Sequence, residues 1–215
     1  MKKIKVFISG QKYFGLEVFR LCRRLEFIEI VGVCAPVGDK YLAKMANIHN
    51  IPIIEAGTLN HKNFPENVDL GITAHSFDYI GKLTRYKPSI GWIGYHPSLL
   101  PRHRGKSSIE WALRMREPVT GGTVFWLNSG IDRGDIAYQE FIHIDPKYFL
   151  NPKSGAQKIW NEDLLPMGLR LFEKALNDIS NGILIKIPQE DKYSTFEPST
   201  DVKDIYKPDL LMLNP

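Results

Sequence analysis

A histidine followed by proline, His96-Pro97, and an aspartate set between two glycines, Gly130-Ile131-Asp132-Arg133-Gly134, are the residues of this chain best suited to proton transfer. Imidazole changes charge near neutral pH, and a neighbouring carboxylate can orient the ring and set its tautomer. A proton shuttle with its orienter is what acyl transfer needs. Pro97 pushes the backbone of His96 away from helix and towards an extended conformation, which suits a histidine presented at a strand end. Gly130 and Gly134 let the chain turn sharply and bring the Asp132 carboxylate inward. Each residue also has a plainer reading, as a satisfied, partly buried histidine and as a surface-turn aspartate. Asp135 is a competing carboxylate, read as the start of the following strand.

Other chemistries are poorly supplied. Cys22 and Cys34 are the only cysteines, so a disulfide framework is not expected. There is no Cys-x-x-Cys, and the six histidines form no His-Glu-x-x-His, so no metal is expected. Gly10-Gln11-Lys12-Tyr13-Phe14-Gly15 has the look of a strand-to-helix turn. It lacks both the Gly-x-Gly-x-x-Gly spacing and a Gly-Lys-Ser/Thr ending, so dinucleotide and P-loop readings fail. Helix-start amides at Gly10 could still hold an anion, and a simple tight turn explains the glycines equally well.

The elements that must position these residues alternate. Apolar strands are expected at 4–9, 28–34, 51–54, 68–74 and 90–95, the last ending at His96. Helices are expected at 13–25, 42–48 and 107–116. Alternation of this kind implies an α/β architecture, a Rossmann-like and mostly parallel sheet flanked by helices. Consecutive strands at 120–127 and 136–144 add antiparallel pairs near the C-terminal half. A long helical stretch at 153–179 should be interrupted or kinked by Pro166, and 183–187 reads as a last strand. Residues 1–187 are expected to form the catalytic domain, and 188–215 a short C-terminal tail, with no separate domain. Ligands of open α/β sheets bind beyond the carboxyl ends of the parallel strands. There 10–15, 74–81 and the segment from His96 converge. Trp92, Trp111, Phe125 and Trp126 read mostly as core, and Leu100-Pro101 as a candidate cis peptide.

Composition bounds the rest. The 215 residues are 43% hydrophobic and 24% charged, with a net charge of +4 and a pI near 8.9. That balance suits an anionic ligand. The basic residues are spread along the chain, which argues against nucleic acid. Met1-Lys2-Lys3 runs straight into the first strand, too short for a signal peptide, and no segment reaches membrane-span length, so a cytoplasmic protein is expected.

The run Tyr95-His96-Pro97-Ser98-Leu99-Leu100-Pro101-Arg102-His103-Arg104-Gly105, followed by Gly-x-Asp-x-Gly-Asp, resembles the folate-dependent formyltransferase family, which includes methionyl-tRNA formyltransferase. The likeness is strongest to the N-terminal hydrolase domain of 10-formyltetrahydrofolate dehydrogenase. It begins at Ser9-Gly10-Gln11-Lys12-Tyr13-Phe14-Gly15 and returns at Gly122-Thr123-Val124-Phe125-Trp126, Leu165-Pro166-Met167-Gly168 and Pro188-Gln189. It implies 10-formyltetrahydrofolate as formyl donor, no metal, and a folate pocket between Phe77, Tyr79, Ile80 and Gly81 on one loop and Leu127 and Asn128 on another. It implies His96 as general acid/base and Asp132 as its partner. An amine, water or thiol would attack the formyl carbon, with Ser98, Pro101 and Gly10 shaping the site.

One position departs from the family. Its amine-formylating members carry an asparagine two residues before the histidine, where this chain has Gly94. Loss of such an oxyanion donor typically costs on the order of 10² to 10³ in rate. His75 is expected to fill the space that Gly94 leaves. Three functions therefore stay open: formyl transfer to an unidentified amine, 10-formyltetrahydrofolate hydrolysis, and non-catalytic folate binding. A small amine, a nucleotide-sugar or water is the expected acceptor. tRNA is disfavoured because 215 residues leave no room for the added C-terminal barrel of the tRNA-formylating relatives. The oligomeric state is not legible.

Overall fold

The computed structural model describes residues 3–200. Seven strands form one sheet in the order β3-β2-β1-β4-β5-β6-β7, from β1 (Ile4–Gly10), β2 (Ile28–Ala35), β3 (Ile53–Glu55), β4 (Leu70–Ala74), β5 (Gly91–His96), β6 (Val119–Trp126) and β7 (Ile136–His143). β1 to β5 pair in parallel, while β6 runs antiparallel to β5 and β7 antiparallel to β6. The central strands are buried on both faces, which is why they read as unbroken apolar runs rather than alternating ones. This is the mostly parallel α/β sheet, with antiparallel strands late in the chain, that the sequence implies.

The helices are α1 (Lys12–Arg24), α2 (Leu42–Ile48), α3 (Lys82–Arg85), α4 (Ser108–Arg114), α5 (Pro152–Ile159) and α6 (Leu165–Ser180). α1 buries Phe14, Val18, Leu21 and Cys22 at helical spacing, and Phe14 meets Phe172 of α6 with ring centroids 6.2 Å apart. Two apolar clusters result. The larger lies under α1 and α6, and a smaller one gathers Phe7, Phe64, Ile80 and Trp92. Trp92, Trp111, Phe125 and Trp126 are all buried, and Leu100-Pro101 is cis.

Two expected elements take another form. The helical stretch after residue 152 is not one kinked helix. A π-helical turn, Trp160–Leu164, separates α5 from α6. Pro166, lacking an N–H, sits in the first turn of α6 just after this wide turn, so the interruption falls upstream of the proline. Residues 183–187 are not a strand and make a single bridge, Ile187 with Ile136. The carbonyl of Ile185 is taken by the Trp126 indole N–H (2.7 Å), and Pro188 has no N–H to extend a ladder.

Residues 188–200 lie against the body of the molecule and reach its buried interior, Glu197 being 3% exposed. The last part of the expected tail, 201–215, lies outside the described residues.

Candidate active site

β5 delivers His96 to the carboxyl end of the sheet, next to Thr123 of β6. The loop that follows is pinned by its own polar groups. Ser98 N–H donates to the His96 carbonyl oxygen (2.9 Å), and Ser98 Oγ donates to that of Arg102 (2.6 Å). Thr123 Oγ1 donates to Ser98 O (2.7 Å) and accepts from Leu100 N–H (3.2 Å). Gln139 Nε2 donates to both Thr123 Oγ1 and the Leu100 carbonyl oxygen. Ser98 and Pro101 thus shape the loop from within it, and Ser98 is fully buried.

The loop folds back so that the carbonyl oxygen of His103 accepts from His96 Nε2 at 2.7 Å. A carbonyl only accepts, so Nε2 must carry a proton. Nδ1 is therefore the ring atom free to exchange one. It faces Asp132 Oδ2 at 3.5 Å, and that oxygen accepts the Gly105 N–H at 2.8 Å. Ring and carboxylate are thus held separately, by two residues of one loop. Asp132 itself adopts the left-handed conformation (φ 51°). Gly134 is the glycine its turn requires, because a Cβ there would collide with the Trp126 carbonyl oxygen. The next residue, Asp135, returns the chain to the sheet through its carbonyl oxygen, which accepts the Trp126 N–H at 2.8 Å.

The expected folate residues fall into two sets. Ile80 and Leu127 meet in the smaller apolar cluster. Phe77 and Tyr79 are 69% and 76% exposed, and a Cβ at Gly81 would just touch the Tyr79 ring at 3.9 Å. Asn128 is turned to its own loop, where Oδ1 accepts the Gly130 N–H (2.8 Å). Lys106 Nζ sits 5.7 Å from the Phe77 ring centroid, so the loop after β4 faces the loop after β5, whose Gly105 N–H holds the Asp132 carboxylate.

A cavity of about 430 Å³ opens where the strand order reverses between β1 and β4, lined by Gly10, Gln11, Gly57, Ser76, Asp78 and Tyr79 among others. His96 and Asp132 lie outside its walls, and Phe77 is the residue of the β4 loop that reaches from it towards Lys106.

His75 does not fill the space beside Gly94. The parallel register sets Thr73 directly across from Gly94, and Thr73 Oγ1 occupies the position a Cβ would take, with Leu127 and Phe125 next nearest. His75 leaves β4 with φ 58° and turns its ring edge-on to Phe77 and Trp160. Burial, with the charge of Lys12, holds its ring below the usual histidine range.

Glu117, Thr195 and Glu197, which the sequence did not single out, bind the loop that carries His103 and Arg104, as does Gln189 of the Pro188-Gln189 pair. Burial opposes a charge on His103, but hydrogen bonding and charge from Glu117 and Glu197 overcome it and lift the ring to about 9. Nε2 lies 3.1 Å from Glu117 Oε2, and Nδ1 lies 3.0 Å from Glu197 Oε2. Burial likewise opposes charge on Glu117, yet His103 and Arg102 hold its carboxyl below the ordinary range. No sequence signal marks Glu197, a lone acid in a turn-rich tail.

The formyl transferase family model matches residues 2–153. The human mitochondrial 10-formyltetrahydrofolate dehydrogenase (Homo sapiens) is 30% identical over 210 residues, 91% of this chain and 22% of the relative. The chain thus spans about a fifth of the length of the curated dehydrogenases it matches. Among solved structures, a 4-N formyltransferase from Francisella tularensis aligns over 94% of this chain and 83% of its own, with a TM-score of 0.72 and 20% identity. An N-formyltransferase from Helicobacter canadensis, in complex with folinic acid and dTDP-3-aminofucose, aligns over 94% and 73%, with a TM-score of 0.71 and 20% identity. These two likenesses are of fold.

Proposed function

The chain belongs to the formyl transferase family, and from that premise we propose that it moves the formyl group of 10-formyltetrahydrofolate to an amine, with His96 and Asp132 handling the protons. The observation that carries this reading is the two-sided grip on the His96 ring, His103 O on Nε2 and Asp132 on Nδ1. With Nε2 committed, a protonated Nδ1 offers its N–H to an oxygen that gains charge as the formyl carbon is attacked. Asp132 sits beside that nitrogen with Oδ2 already engaged by Gly105, which leaves Oδ1 to accept a proton from an incoming amine. As the formyl C–N10 bond breaks, Nδ1 gives its proton to N10, tetrahydrofolate leaves, and the proton on Asp132 passes back to Nδ1.

The donor supplies the formyl carbon. Phe77, Tyr79, Ile80 and Gly81, with Leu127 and Asn128 opposite, are the residues to hold it. Two largely exposed aromatic faces beside an apolar floor of Ile80 and Leu127 suit a flat ring system. The cavity at Gly10 and Gln11 is the proposed entry for the acceptor. Its volume and the Ser76 hydroxyl suit an amine-bearing nucleotide-sugar. The compartment proposed is the cytoplasm, and among the described residues no helix is long and apolar enough to cross a membrane.

Hydrolysis is the second reading, and Gly94 is the observation that favours it. With Thr73 against it, this position presents no side-chain amide to a developing oxyanion. The two readings separate when the protein is given 10-formyltetrahydrofolate, with and without a panel of amine-bearing nucleotide-sugars, and formate, tetrahydrofolate and N-formyl product are measured. Transfer requires tetrahydrofolate release that depends on an amine. Formate formed at the same rate with no amine present makes the protein a hydrolase. No turnover in either mixture removes both readings.

A further inference from the structure

Residues 188–200 form a strap from the Asp132 turn to the start of α4, and they bind the site loops all along it. Gln189 Nε2 donates to the carbonyl oxygens of Asp132 (2.9 Å) and Gly134 (2.7 Å), while its Oε1 accepts from Arg104. Thr195 brackets the histidine loop. Its N–H donates to Pro101 O (3.2 Å), its carbonyl accepts from Arg104 N–H (3.1 Å), and its hydroxyl accepts from His103 N–H (2.8 Å). Pro198 O accepts the Trp111 indole N–H, and Thr200 reaches Ser107 and Glu110.

Glu197 is at the centre of the strap. Its Oε2 lies 3.0 Å from His103 Nδ1, and both side chains are almost wholly buried. Glu117 faces the other ring nitrogen and is itself paired with Arg102. Glu197 Oε1 has no partner among the described residues. A buried ionic cluster with an unpaired oxygen is a poor source of stability, since desolvation costs several kcal/mol per ion and apolar packing would do as well. What the cluster holds fixed is the better account of it. His103 is in the left-handed conformation (φ 54°), disfavoured for a residue with a Cβ by about 1–2 kcal/mol, and in that conformation its carbonyl points at His96 Nε2.

We infer that Glu197 and His103 are positioning residues for His96: their buried ion pair keeps His103 in its left-handed conformation and so keeps the carbonyl that orients the His96 ring. The inference rests on the reading of His96 as the proton-handling group. The charged groups that face His103 are Glu197 from the strap and Glu117 from the segment before β6, with Arg102 behind Glu117. Loss of charge on either side frees the His103 backbone, and the His96 ring with it.

The test compares the wild-type chain with Glu197→Gln, Glu197→Asp and Lys192→Ala, an exposed strap residue, on 10-formyltetrahydrofolate. Glu197→Gln is expected to lower kcat on the order of 10 to 10²-fold with donor binding retained, the scale of a misplaced catalytic group. The alkaline limb of its pH profile should move to lower pH, because one carboxylate that holds the His103 proton is gone. Glu197→Asp should recover part of the loss, and Lys192→Ala should match wild type. An unchanged kcat and profile in Glu197→Gln overturns the inference, as does a kcat loss that merely follows loss of binding and of folded protein. If that variant does not fold, the wild-type histidine NMR spectrum decides. His96 resonances should move as His103 titrates near pH 9, and resonances that stay still refute the coupling. A wild-type protein with no turnover on any acceptor or water defeats the functional reading instead, and this spectrum still judges the positioning.

Discussion

Gly94 and Thr73 make one packing unit, and a double-mutant cycle on them tests the site's geometry. Gly94 has an ordinary strand conformation, absent from the positive-φ residues, so alanine there meets no backbone objection. The objection is steric. A Cβ at 94 would come closer to Thr73 Oγ1 than the 3.0 Å that real Cβ atoms respect, and would also meet Leu127 Cδ1 at 3.1 Å and Phe125 Cε1 at 3.4 Å. β4 and β5 are hydrogen-bonded at this register, so the strands cannot part, and threonine is stiff about χ1. Overpacking of this kind costs about 1–3 kcal/mol, offset by up to about 1 kcal/mol because alanine loses less backbone freedom than glycine. The net is about 1–2 kcal/mol, or a Tm lower by about 2–8 °C for a chain of this size. In a Thr73→Ala background the Thr73 clash is gone and only the tight contact with the Leu127 side chain is left to relax, so Gly94→Ala should be near neutral. Thermal unfolding of the four proteins therefore gives a coupling of about 1–3 kcal/mol. Equal losses in the two backgrounds would show that Thr73 does not occupy this space. The same cycle has a functional arm. Gly94→Asn in the Thr73→Ala background should favour amine transfer over formate release, by up to the order of 10²-fold that an oxyanion donor supplies.

Three further outcomes follow from the structure. Gly134→Ala should lower stability by about 3 kcal/mol or more, since its Cβ meets the Trp126 carbonyl, and activity should fall with the displaced Asp132 turn. A variant with wild-type Tm and turnover would contradict the turn described. His103, at about 9 when folded against 6.5 unfolded, is favoured in its charged form by folding, a contribution that is full below pH 6.5 and is lost as pH rises through about 9. Urea midpoints of wild type and His103→Gln should therefore converge between pH 6.5 and 9.5, and a constant gap across that range would count against the ion pair. Cys22 and Cys34 are buried, and burial, joined for Cys34 by the Asp78 charge, lifts both thiols to about 12. Iodoacetamide at pH 8 should leave both unmodified until denaturant is added, as the thiolate fraction is about 10⁻⁴. Rapid labelling of native protein would refute that environment.

The sheet was legible because β1, β2, β4 and β5 are two-sided apolar runs separated by helical periodicity, a signal that needs no tertiary information. The histidine loop was legible from Pro97 and the glycine-flanked Asp132. What sequence could not supply was register. His75 looked placed to fill the space at Gly94 because β4 and β5 were expected to be neighbours. They are neighbours, but the pairing sets Thr73, two residues earlier, opposite Gly94, and His75 has already left the strand with φ 58°. The strand expected at 183–187 failed for a similar reason, since its Ile185 carbonyl is claimed by a tryptophan distant in sequence. Glu197 and Thr195 stayed invisible because their roles exist only across 92 to 94 residues of separation from His103.

His96, held by the His103 carbonyl and set beside Asp132, is proposed to drive departure of the formyl group. Single-turnover release of tetrahydrofolate from 10-formyltetrahydrofolate, with protein in excess, tests it most directly in wild type, His96→Ala and Asp132→Asn. Wild type should release tetrahydrofolate with its acceptor, amine or water, and both variants should lose at least on the order of 10² in rate with donor binding kept. Release by His96→Ala at the wild-type rate would contradict it.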